Sequence, residues 1–78
     1  MNLSQLKSGQ MAFIKHVKDD ELSLKLFEMG VLPGEHVMLE NVAPFGDPIA
    51  VMIGEYKLCL RLQDAANIEI DLDTWKGL

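Results

Sequence analysis

Two histidines, His16 and His36, and a single cysteine, Cys59, are the side chains of this 78-residue chain best fitted to hold a transition metal. Zinc-type sites bring such ligands together as short-range pairs. These three fall instead on three separate predicted strands, so they read as wet-edge histidines and a small thiol. Asp19, Asp20 and Glu21 form the densest acidic run. A hard cation needs more converging oxygens than this run supplies, and acidic residues of that kind belong at the positive N-terminus of a helix. The hydroxyl nucleophile candidates are Ser4, Ser8, Ser23, Thr74 and the phenol of Tyr56. None stands in a nucleophile elbow. Gly30-Val31-Leu32-Pro33-Gly34 has the glycines of a phosphate loop, but Pro33 removes an amide donor and no Lys-Ser/Thr pair follows. The residues therefore predict no enzyme activity, no cofactor and no metal site.

Composition narrows the partners. A net charge of −5 argues against nucleic acid, because phosphate contacts need a surplus of lysine and arginine. The same sign disfavours an anionic membrane surface, and no segment reaches the ~20 apolar residues of a membrane-spanning helix. With Cys59 alone, no intrachain disulfide can form, which fits a reducing compartment. The N-terminus lacks the apolar run of a signal peptide, so the expected location is the cytoplasm. Length allows one domain over residues 1–78, with a core at about 9–71 and a tail at 72–78.

The positioning elements follow from turn signals and periodicity. Leu3 and Leu6 can pack as one short helical turn. Met11–Val17 is a strand with Ala12, Ile14 and His16 on one face and Met11, Phe13, Lys15 and Val17 on the other. Asp19 or Asp20 caps a helix that runs to about Met29, with Leu22, Leu26 and Met29 on its inward stripe. Gly30 is placed to end that helix with positive φ, and Pro33-Gly34 fits a type II turn. Glu35–Val42 is a second strand. Ala43-Pro44-Phe45-Gly46-Asp47-Pro48 forces a reversal into Ile49–Ile53. Gly54-Glu55 turns into a fourth strand, Tyr56–Leu62, with Leu58, Leu60 and Leu62 inward. Gln63–Ala66 makes a helical turn, and Asn67–Leu72 is the fifth strand. Five short strands with one inserted helix predict a mainly β, small antiparallel barrel or two-sheet sandwich.

Leu24 and Phe27 break the economy of this plan. They lie roughly 60° apart on the helix and opposite the Leu22–Leu26 stripe, and one helix cannot bury both stripes in one small core. The entry segment, the tail through Trp75, a second copy of the chain or a partner must cover them. Leu24, Lys25, Phe27 and Trp75 are accordingly the candidate partner-binding residues. Arg61 and Lys57 read as solvated strand residues, Arg61 within reach of Glu55 or Asp64.

Glu28-Met29-Gly30-Val31-Leu32-Pro33-Gly34, then Ala43-Pro44-Phe45-Gly46-Asp47-Pro48, then Gly54, Leu60-Arg61, Ala65 and Ile68, closely resemble the FeoA family over about residues 9–71. The resemblance implies an SH3-like barrel in a small cytoplasmic protein that serves ferrous-iron uptake beside the permease FeoB. The same domain ends iron-dependent repressors, which carry a DNA-binding domain that this chain has no room for. Leu24-Lys25 stands where the family commonly has two adjacent basic residues, and Cys59 where it commonly has alanine. On the helix, an apolar surface thus replaces a basic one. The expected function is a non-enzymatic accessory that contacts the cytoplasmic part of a FeoB-like ferrous-iron transporter, with self-association as a further route to cover the helix. The alternative is a direct ferrous-iron-binding sensor or chaperone using His16, His36 or the acidic residues.

Overall fold

The computed structural model describes residues 1–73. A 3-10 turn at Leu3–Gln5 precedes β1 (Met11–Val17), α1 (Asp20–Glu28), β2 (His36–Val42), β3 (Ile49–Ile53), β4 (Tyr56–Leu60), α2 (Leu62–Ala65) and β5 (Ile68–Leu72). All five strands join one antiparallel sheet in the order β4-β3-β2-β1-β5. β4 and β5 are its edges, so the mainly β barrel expected from the sequence is present but open along one side.

Two bulges curve the sheet. Opposite β5, Ile14 pairs with Ile70 and His16 with Glu69, leaving Lys15 as an extra residue on β1. Opposite β3, Leu39 pairs with Val51 and Asn41 with Ala50, leaving Glu40 as an extra residue on β2. Each extra residue increases twist and bends the strand. It also reverses the side-chain alternation. Ala12 and Ile14 are buried as a pair, whereas His16, expected on their face, is exposed, and Val17 packs against the core instead.

One core lies on the concave face, built from Val37, Leu39, Val51, Ile53, Ile68 and Ile70 together with Leu22 and Leu26 of α1. Leu3 and Leu6 are buried with them, and the entry turn packs on α2. That turn is closed by a capping box, in which Ser4 N–H donates to Asn2 Oδ1 at 3.0 Å and Asn2 N–H donates to Gln5 Oε1 at 2.9 Å. The segment then lies along β5, where Ile70 N–H donates to the carbonyl of Met1 at 2.9 Å.

The return from α1 to the sheet is set by three consecutive devices. Asp19 caps the helix start, its Oδ1 accepting from Glu21 N–H at 2.9 Å and Leu22 N–H at 3.3 Å. At the other end, Val31 N–H donates to Leu26 O at 2.8 Å and Gly30 N–H to Phe27 O at 2.9 Å, with Gly30 at φ +85°. These two bonds make a Schellman motif, and its hydrophobic contact is supplied by buried Val31 and Leu26. Leu32–Glu35 then forms the expected turn, with Gly34 at φ +95° and Glu35 N–H donating to Leu32 O at 3.2 Å. The Schellman turn also explains a departure from expectation. Met29, the C-cap, is 38% exposed rather than inward, because the chain swings Val31 into the place on the core that Met29 would have filled.

Strand four is shorter than expected. Leu60 ends β4 and Leu62 opens α2, half-buried on the edge of the core. Asp47 accounts for that switch, since its Oδ1 accepts from Leu62 N–H at 3.0 Å and satisfies a helix-start donor from the distant β2–β3 loop. A periodicity reading cannot see a cap supplied from so far along the chain.

Gly34 has no atom within 4 Å of a built Cβ, so a side chain there meets a backbone penalty and no clash. Gly34→Val should therefore cost about 1–3 kcal/mol. In a domain of this size that lowers the melting temperature by roughly 4–24 °C. Gly34→Asn should lose less, since asparagine tolerates the left-handed region. Thermal melts followed by circular dichroism compare the three proteins.

Candidate functional site

Among the described residues, the outward face of α1 is an exposed apolar surface beside the core. Leu22 and Leu26 point into the core, while Leu24 and Phe27 are 58% and 63% exposed. Leu32 and Met29 extend the apolar surface past the helix end. Phe27, Leu32 and Pro33 line a cleft of about 180 Å³ between α1 and the end of β1. His16 and Val17 form its far wall, and Asp20 and Ser23 its rim. His16 reaches this cleft because the bulge at Lys15 turns it out of the core. Lys25 is exposed beside Leu24 and Phe27, with Asp20, Glu21 and Glu28 as acidic neighbours on the same helix.

The structure thus brings three of the four predicted partner-binding residues, Leu24, Lys25 and Phe27, onto one exposed helix. The fourth, Trp75, lies outside the described residues. Of the four covers considered for the apolar stripe, the entry segment is excluded: it is spent on α2 and β5.

The metal and catalytic candidates stay apart. His16 lines the α1 cleft, whereas His36 lies on the opposite side of the sheet with its ring centroid 4.4 Å from that of Phe13. Cys59 is exposed on β4, opposite Ala50. Among the described residues, no three His, Cys, Asp or Glu side chains form a group able to hold a metal ion. Lys57 pairs with Glu40 at 3.6 Å, a bridge that its exposure makes weak. Arg61 is the exposed N-cap residue of α2, and the ion pairs with Glu55 or Asp64 anticipated from sequence are not formed.

Sequence reasoning missed Phe45. It is 99% exposed at the corner of the β2–β3 loop, in a turn closed by Gly46 N–H donating to Ala43 O at 2.8 Å. The signal was present. Pro44 at the second position and Gly46 at the fourth put Phe45 at the outer corner of the turn, with no route back to the core.

The FeoA domain model matches residues 1–72. The chain belongs to the FeoA family. It is 37% identical over 73 residues to an Fe(2+) transport protein A/Fe(2+) transporter FeoB fusion protein of Porphyromonas gingivalis. That alignment covers 92% of this chain and 9% of the fusion protein, so the chain spans only a small part of that relative. Iron(II) transport protein A of Clostridium thermocellum superposes with a TM-score of 0.83 and 42% identity, over 92% of this chain and 45% of the other. FeoA of Stenotrophomonas maltophilia, solved with zinc and described as an SH3 domain protein, superposes with a TM-score of 0.79 and 30% identity. There the match covers 91% of this chain and 89% of its relative. The open, curved five-stranded sheet of this FeoA domain is accordingly SH3-like, as expected from the sequence. No helix among its described residues is long and apolar enough to cross a membrane.

The two faces of α1 should respond oppositely to substitution. Leu26→Ala empties a buried site and should cost about 2–5 kcal/mol. Leu24→Ser and Phe45→Ser remove side chains that the fold does not use, and should leave the urea midpoint where it is. Equilibrium urea unfolding of the three variants checks the assignment. Equal losses at Leu24 and Leu26 would mean that α1 is rotated.

Proposed function

We propose that this FeoA domain is a non-enzymatic accessory of ferrous-iron uptake that acts by docking α1 onto the cytoplasmic part of a FeoB-like ferrous-iron transporter. The observation that carries the reading is the two-sided apolar character of α1. One stripe is consumed by the core, and Leu24 and Phe27 stand exposed beside an open cleft. Burying such side chains at a contact is worth about 1.5–3 kcal/mol each, enough to hold two proteins together weakly when both take part. The fused relative supports the choice of partner. In that relative a FeoA unit is carried on the same chain as a FeoB transporter, which holds the two at a high effective concentration of one another.

The rim gives the complementary chemistry of the partner segment. Asp20, Glu21 and Glu28 surround the apolar residues, and the whole chain carries a charge of −5. An apolar side chain flanked by lysine or arginine suits the cleft between α1 and β1, with charge steering the encounter and apolar burial holding it. A small barrel taking up an extended segment is a recurrent mode of recognition.

The test uses the purified full chain and the purified cytoplasmic domain of the transporter. The double variant Leu24→Ser/Phe27→Ser should bind at least about tenfold more weakly, a loss of about 1.4 kcal/mol, while its melting temperature stays close to that of the parent. Binding is read by isothermal titration calorimetry. Sedimentation of the chain alone separates this reading from self-association. Unchanged affinity in the double variant would dismiss α1 as the docking surface, and a parent chain that dimerises through α1 would assign that face to a second copy.

A further inference from the structure

The convex face of the sheet carries an arrangement that iron-transport accessory work leaves unused. Met11 on β1 stands directly opposite Met38 on β2, and Met38 directly opposite Met52 on β3. Three of the five methionines of the chain therefore occupy one cross-strand row. Solvated sheet faces ordinarily favour β-branched and aromatic side chains, so the row is not a demand of strand propensity. His36 lies two residues before Met38 and shares its face. The three methionines and His36 line one surface hollow of about 200 Å³, where Gly54 contributes no side chain to fill it.

We propose that this hollow is a soft-metal site, in which the thioethers of Met11, Met38 and Met52 and the imidazole of His36 hold one monovalent copper ion. Directly opposed residues place their Cβ atoms about 4.5–5.5 Å apart, so the flexible side chains of Met11 and Met52 can lean toward Met38 from either side. Thioether sulfur is a soft donor and selects Cu(I), whereas Fe(II) and Zn(II) favour imidazole, carboxylate or thiolate. The donor set is neutral when His36 is unprotonated, so it suits a single positive charge better than a divalent ion. Access is open, with Met11 43% exposed and Met38 and Met52 half-buried. Rules based on His, Cys and carboxylate spacing pass over such a site, because its ligands meet only through strand pairing.

Cys59 is the competing explanation that the experiment must remove. It lies on the same convex face, on β4 opposite Ala50 and two residues along from Lys57, which pairs with Met52, and its thiolate is itself a copper ligand. The purified full chain is titrated anaerobically with Cu(I) in the presence of the chromogenic chelator bicinchoninate. One copper per chain should be withdrawn from the chelator. Cys59→Ala should retain that binding, and Met38→Leu, which keeps the volume but removes the central sulfur, should weaken it at least tenfold. Met52→Leu serves if Met38→Leu lowers the melting temperature. Methyl-labelled methionine spectra with Ag(I) as a redox-inert probe give a second readout. The signals of Met11, Met38 and Met52 should move, and those of Met1 and Met29 should stay. Loss of binding in Cys59→Ala with retention in Met38→Leu would overturn the site, as would no withdrawal of copper or an equal shift of all five signals.

Discussion

The backbone of Ile14 is held on both sides by the turn that follows the helix. Its N–H donates to Glu35 O at 2.9 Å, and its carbonyl accepts from Gly34 N–H at 2.8 Å. This pair of bonds pins the Pro33-Gly34 turn to the middle of β1, and the rest of the architecture depends on it. With the turn fixed, β2 must start beside β1, and α1 must return across the concave face within the few residues from Met29 to Pro33. The Schellman motif at Gly30 spends those residues in one tight step. The helix then has no rotational freedom: Leu22 and Leu26 meet the core, and Leu24 and Phe27 are turned to solvent.

The exposed stripe follows from size as much as from geometry. A chain of this length builds one core, and that core is already filled by residues from all five strands, α1 and the entry turn. Among the described residues, no second layer covers α1. The described entry segment cannot provide one, because Met1 is bonded to Ile70 and Leu3 is buried. Apolar surface left uncovered by such a small fold is the physical reason to look for a partner at α1.

Curvature divides the labour between the two sides of the sheet. The bulges at Lys15 and Glu40 wrap the sheet around its core and leave a convex face that no element among the described residues covers. His16 is carried to the α1 side, and His36 stays on the convex side against Phe13 and the methionine row. The two histidines therefore serve different surfaces. The proposed docking role concerns the α1 side alone, and the convex face raises a separate chemical question.

The element plan was legible in the residues because it rests on local rules. Gly30, Pro33-Gly34 and the Ala43–Pro48 run demand particular backbone angles whatever surrounds them, and the strands between them alternate at period two. The outward position of Leu24 and Phe27 was legible for the same reason, since helical geometry alone separates them from Leu22 and Leu26. Tertiary structure decided whatever depended on a partner distant in sequence. The bulges that expose His16 and admit Val17 arise from strand pairing, which no single strand encodes. Leu62 leaves β4 for α2 because Asp47, brought close only by folding, caps it. Met29 loses its inward place to Val31 through a helix end packed on a finished core. The methionine row exists only once β1, β2 and β3 lie in register, for each strand contributes a single thioether.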